Sequence, residues 1–291
     1  MDVKQTLSEL VRIDSVSARS NREIADYLAA RCERLSFRVR RFPYADERGT
    51  EKVNLVACAG WNAEDANEVE LALVGHTDTV PFDPGWSEAL NLTERDGRLY
   101  GRGACDTKAF IAAALAAVEA IDPARLARPL ALVFTADEEV GCLGAPPMIE
   151  AMLAGLPRPE AVIVGEPTSM RVVTGHKASW GMRVHVRGHE VHSSLIHTGV
   201  SAVMAAARLV AWMDDAMAES ARAAVPNGYD PPYTTLHVGL IAGGTAGNIT
   251  ARDCAFTGEI RIAPGETIAG WKGRFMDEVA RLEAELRRVH P

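Results

Sequence analysis

Apolar positions follow two rhythms along the chain, and the rhythm changes near residue 171. From residue 6 to about 35 the spacing is helical and predicts two helices split by the turn Asp14-Ser15-Val16-Ser17. Residues 37–42 (FRVRRF) alternate, as an edge strand does, and residues 53–59 form a second strand. Then come three short apolar runs, 69–75, 129–135 and 161–164, each ending in polar residues. A Gly-rich stretch, 101–105, precedes a helix over about 108–120, and a further helix separates the last two runs. This strand, polar loop, helix alternation predicts an α/β domain whose apolar sheet is covered on both faces. After residue 171 the pattern becomes that of a small α+β domain. It predicts a long strand pair over 172–187, a helix over 199–218, strands over 234–242 and 251–262 around a Gly-rich turn, and a last helix over 266–289.

Composition narrows the possibilities. The 291 residues are 47% hydrophobic and carry a net charge of −8, with no Lys/Arg stripe, so the basic footprint of a nucleic-acid binder is missing. No apolar run reaches the length of a membrane span. The first 13 residues read as an amphipathic helix with acidic positions and no cleavage pattern, against a signal peptide. Five cysteines, an odd number without CxxC, predict free thiols in a reducing cytoplasm.

In an open α/β sheet, ligands gather beyond the carboxyl ends of strands, and the chemistry-bearing residues lie there. His76-Thr77-Asp78 ends the first run. Residues i and i+2 share a face of a strand, so Asp78 can hold one imidazole nitrogen and leave the other free for a metal; a polar strand end is the plain alternative. Asp106 reads as a ligand or as a helix N-cap. A phosphate loop there lacks the GxxxxGK[ST] spacing. Glu138 and Glu139 follow the second run, where adjacent carboxylates repel unless a cation is near; an exposed acidic loop is the alternative. Glu166, between Gly165 and Pro167, follows the third and also suits a plain turn. Together they place one imidazole and at least three carboxylates at one sheet edge. Such donors suit zinc, cobalt or manganese, and a spare glutamate can take a proton from water.

The segments GHTDTVP (75–81), GRGACDTK (101–108), TADEEVG (135–141), VGEPTS (164–169) and VHSS (191–194) occur in this order. Together they resemble the M20 family of metallopeptidases and deacylases. The stretch following His76 and the form GEPTS are most similar to the branch that deacetylates acetylornithine. The resemblance implies a zinc-dependent exopeptidase-like catalytic domain, three-layer αβα, over 1–171, and an inserted α+β lid and dimerisation domain over 172–291. It implies two zinc ions, with cobalt or manganese as substitutes. His76 and Glu166 would bind one ion, Asp106 would bridge both, and Glu139 would bind the other. Glu138 would act as general base and then acid, with Asp78 orienting His76. His192 would polarise the scissile carbonyl from a partner subunit, and Asn248 and Arg261 would hold substrate. The expected activity is hydrolysis of an N-acyl amino acid, acetylornithine first. A desuccinylase, another amidohydrolase or dipeptidase, or a fragment able only to dimerise are the other readings.

The resemblance also implies a further C-terminal segment of about a hundred residues that returns to the catalytic domain and supplies a last histidine to the second zinc. The sequence ends at His290-Pro291 without it, so the second ion is expected to have Asp106 and Glu139 alone, and the catalytic domain is expected to expose apolar surface. Cys105 and Cys142, which flank the metal motifs, are expected to be small buried side chains, with metal ligation as the lesser alternative.

Overall fold

The computed structural model describes residues 2–60, 69–122, 125–153 and 158–290. The chain forms two compact units, Met1–Arg171 and Val172–Pro291.

In the first unit, helices α1 (Val3–Arg12) and α2 (Arg22–Arg34) bury one stripe each, Leu7, Leu10 and Val11 on α1 and Ile24, Leu28 and Cys32 on α2. The Asp2 side chain caps α1 by accepting from Lys4 N at 3.1 Å, which satisfies one orphan donor of the first turn. The sheet has the order β1-β2-β6-β3-β7, built from β1 (Arg38–Ala45), β2 (Glu51–Ala59), β3 (Val69–His76), β6 (Leu130–Thr135) and β7 (Pro159–Val164). Strands β6, β3 and β7 run parallel, while β2 is antiparallel to both β6 and β1. One face carries Leu55, Ala57, Leu132 and Phe134 against α1, α2 and α3 (Lys108–Glu119). The other carries Val56, Cys58, Ala131 and Val133 against Met148 and Met152 of α4 (Ala145–Leu153). The result is a three-layer arrangement in which neighbouring strand residues alternate between two cores.

Two features qualify the α/β pattern. Cover on both faces fails at β7, where Val162, Ile163 and Val164 are 50%, 50% and 57% exposed among the described residues, in keeping with the apolar surface expected to be exposed on this unit. A short hairpin, β4 (Thr93–Arg95) and β5 (Arg98–Tyr100), escapes the reading altogether. Its signal was the Asp96-Gly97 dipeptide, whose φ angles of 51° and 69° suit a two-residue turn.

The second unit is an antiparallel sheet of order β8-β10-β9, from β8 (Ala178–Arg187), β9 (Thr235–Gly243) and β10 (Asp253–Ile262). Strand β10 alternates strictly, burying Cys254, Phe256, Ile260 and Ile262 with the apolar stripes of α5 (Ala202–Arg222) and α6 (Ile268–Leu286). The predicted strand pair over 172–187 is a single strand. Residues 171–177 adopt no regular structure, and only the alternation from residue 178 onward finds a partner in β10. No helix among the described residues is long and apolar enough to cross a membrane.

The two faces predict contrasting mutants. Leu132, fully buried, should cost about 2–5 kcal/mol of unfolding free energy when changed to alanine. Ile163→Ala, on half-exposed β7, should cost less than about 1 kcal/mol. Urea unfolding followed by circular dichroism measures both, and equal losses would mean that β7 is covered in solution.

Candidate metal centre

Parallel pairing brings the ends of β3, β6 and β7 to one edge. His76 pairs in register with Thr135, and Val74 with both Val133 and Val164. The residues that follow must therefore converge. His76 is buried, at 3% exposure. Its Nδ1 lies 2.9 Å from the Asp78 carbonyl oxygen and its Nε2 2.9 Å from Asp106 Oδ1. Glu138 Oε2 and Glu166 Oε1 each lie 4.0 Å from the same Nε2. One donor atom from each of His76, Asp106 and Glu139 lies within 4.8 Å of the others.

Asp78 differs from expectation in how it acts. Its main-chain carbonyl receives the imidazole N–H, and its carboxylate stands 3.7 Å from Nδ1. That carboxylate accepts instead from Glu138 N at 3.1 Å, Glu139 N at 3.2 Å and the Ser17 hydroxyl at 2.8 Å. Asp78 thus fixes the peptide that carries both glutamates, a role that residue spacing within β3 could not reveal.

The electrostatics fit a cation. Burial lifts Glu139 above the usual carboxylate range, and the charge of Asp106 adds to it. Burial lifts Glu166 too, joined by Asp106, Glu138 and Glu139 and opposed by His76. For His76 burial works against the imidazolium, but the charge of Asp78 and the hydrogen bond and charge of Asp106 outweigh it and raise the group. Each of these shifts favours the protonated form over that of the free side chain. Oxygen and nitrogen donors at these distances are what zinc and its neighbours take.

Residues that the sequence reading passed over hold the turn from below. Lys52, fully buried, pairs with Asp137 Oδ1 at 2.7 Å. Asn54 accepts from Ala136 N at 2.8 Å and donates to Gly144 O at 2.9 Å. Asn21 bridges β2 to Thr77. The available signal was polar character inside an otherwise apolar strand, K-V-N-L-V. Gly144 is required here, since a Cβ would stand 2.3 Å from Ala136 O.

Cys105 and Cys142 are not buried as expected but are exposed free thiols, and Cys142 Sγ lies 3.5 Å from Glu138 Oε1. In the second unit His192 is exposed and its Nδ1 accepts from Ser194 N at 3.2 Å. Asn248 lies beside it, its carbonyl accepting from Ser193 N at 2.8 Å. Arg261 is not brought to them. It sits near the other end of β10, roughly 25 Å along the strand from Asp253, and pairs with Glu259 at 3.0 Å. His290 stacks on His189 with ring centroids 3.6 Å apart.

Metal affinity should therefore depend on pH with a defined sign. Ligation requires His76, Glu139 and Glu166 to lose protons, and all three are raised. Binding of Co2+ should release more protons at pH 6 than at pH 8 and weaken as pH falls. Calorimetry in two buffers of different ionisation enthalpy measures this; proton release independent of pH would contradict it.

Known proteins agree with the fold. Residues 72–285 match the model of peptidase family M20/M25/M40. An acetylornithine deacetylase of Myxococcus xanthus is 45% identical over 264 residues, covering 91% of this chain and 68% of that protein. One from Pasteurella multocida (strain Pm70) is 35% identical over 258 residues, covering 87% of this chain and 64% of that protein. The chain thus spans about two thirds of the length of these relatives. Among solved structures, the M20 family metallo-carboxypeptidase Sso-CP2 from Sulfolobus solfataricus superposes with a TM-score of 0.75 at 20% identity, covering 97% of this chain and 76% of that one. A tripeptidase from Staphylococcus aureus gives 0.72 at 24%, covering 98% and 72%. At those identities the likeness concerns the fold alone. With the motifs in order, the donors assembled at the strand ends and the match over residues 72–285, the chain belongs to peptidase family M20/M25/M40, a family of metal-dependent amide-bond hydrolases.

Proposed function

We propose that this chain carries the catalytic metal centre of an amidohydrolase that removes the acyl group from an N-acyl amino acid, with acetylornithine as the first substrate to try. The observation that carries the reading is the convergence of His76, Asp106 and Glu139 donor atoms within 4.8 Å, with Glu138 alongside. The choice of substrate rests on the 45% identity to a relative named for that reaction.

His76 and Glu166 would hold one divalent ion and Glu139 another, with Asp106 between them. Zinc is the first choice, and cobalt or manganese would suit the same donors. Bound ions of this kind supply Lewis-acid charge to a carbonyl and lower the pKa of water. The chain's own residues do the rest. The Asp78 carbonyl holds the His76 Nδ1–H, which turns Nε2 toward the carboxylates. Glu138 is half-exposed and its backbone is fixed by Asp78. It removes a proton from the attacking water and returns it to the departing nitrogen. His192 of a second copy, associated through the lid unit, would donate a hydrogen bond to the developing oxyanion. Asn248, which lies beside His192, would hold the amino-acid part; Arg261, at the far end of β10, has no place in that contact.

Glu138→Gln should retain bound metal and lose at least about a hundredfold in acetylornithine hydrolysis. Elemental analysis and a ninhydrin assay of released ornithine give the two readouts. A metal-loaded variant with undiminished turnover would remove Glu138 from the mechanism. A panel of other N-acyl amino acids and dipeptides, run on the unaltered chain, tests the substrate.

A further inference from the structure

A closed ring of hydrogen bonds lies beneath the Glu138–Glu139 peptide. Lys52 Nζ has three donors and meets three acceptors, Ser17 O at 2.6 Å, Arg19 O at 2.8 Å and Asp137 Oδ1 at 2.7 Å. The Ser17 hydroxyl lies 2.8 Å from Asp78 Oδ2. Asp78 accepts from the N–H groups of Glu138 and Glu139, and the chain returns through Asp137 to Lys52. Tyr44, directly opposite Lys52 in the β1–β2 ladder, donates to the second Asp137 oxygen at 2.8 Å. Burial and Asp137 push the Tyr44 phenol well up, so it stays a donor.

Topology explains why the ring is possible. Because β2 runs antiparallel to β6, its first residues underlie the turn that leaves the end of β6. Lys52 and Asn54, two residues apart, both reach that turn. At its start Asp137 adopts a left-handed backbone, φ 57°. Among side-chain-bearing residues Asp and Asn tolerate this best, and here the carboxylate is also the pairing group. A buried ion pair adds little net stability over apolar residues of the same volume; its best-attested use is to specify one arrangement. Neither Lys52 nor Asp137 is among the metal donors.

We infer that the Lys52–Asp137–Tyr44 assembly is a positioning device, which sets the backbone of Glu138 and Glu139 so that Glu139 meets the metal and Glu138 stands beside it. This rests on the reading of Glu139 as a ligand. The device acts through Asp137, one peptide away, and through Ser17 and Asp78 on the opposite side.

The test is a Co2+ titration of the metal-free chain, followed by visible d–d absorption, beside thermal unfolding of the same metal-free samples. The charge-balanced variant Lys52→Met with Asp137→Asn keeps a residue that tolerates the left-handed turn and leaves no unpaired buried charge. It should weaken Co2+ binding about tenfold or more and alter the d–d band, as loss of groups behind a ligand does. Tyr44→Phe removes one hydrogen bond and should weaken binding about two- to tenfold. A double variant with lower melting temperature but the original affinity and spectrum would overturn the inference, because the assembly would then be structural only. Should the double variant not fold, Tyr44→Phe decides, and unchanged affinity and spectrum overturn it. An unaltered chain that binds no Co2+ would remove the metal-centre reading itself, and the positioning role with it. An unaltered chain that binds while the variants match it removes the positioning role alone.

Discussion

Mutual repulsion among carboxylates is the constraint around which the first unit is organised. Asp106, Glu138, Glu139 and Glu166 surround a single buried imidazole. Two like charges within 4.8 Å, as Asp106 and Glu139 are, oppose each other by about 1 kcal/mol in water-like surroundings and a few-fold more where screening is weaker. The partial exposure of these groups keeps the cost toward the lower figure, yet it recurs for each pair. Folding tolerates the cluster because the backbone, not the charges, sets its geometry. A divalent cation then relieves the repulsion.

The fold supplies that backbone in two ways. Parallel β6, β3 and β7 end together, so the residues after them have nowhere to diverge. Antiparallel β2 then begins where β6 ends and inserts Lys52 and Asn54 under the turn. Asp78 links the two arrangements. Its carbonyl faces His76 on β3, and its carboxylate grips the peptide after β6. A residue that reads from spacing as a simple partner of histidine is the junction between two strand ends.

Much of this was legible in sequence because it depends on short-range pattern. The three apolar runs and their terminal residues placed His76, Glu138, Glu139 and Glu166 at one edge, and the pattern over 251–262 predicts the strand found there. What depended on long-range pairing was not legible. Lys52 reads as a charged strand end until its partner, 85 positions away, is known. The stretch 172–177 has no strand partner among the described residues, and so forms no strand. The exposure of β7 is set by which elements lie over it, which residue pattern alone cannot express. The separation of Asn248 and Arg261 follows from the length of β10, not from their spacing of 13 positions, which tells little about distance once a strand intervenes.

The most direct measurement is equilibrium dialysis of the chain against zinc, with metal counted per chain in the unaltered protein and in Asp106→Asn. The account predicts at least one zinc retained per chain, and its loss when Asp106 can no longer offer a carboxylate between His76 and Glu139. No retained zinc in the unaltered chain, or equal retention in the variant, would contradict the claim that this cluster is a metal centre.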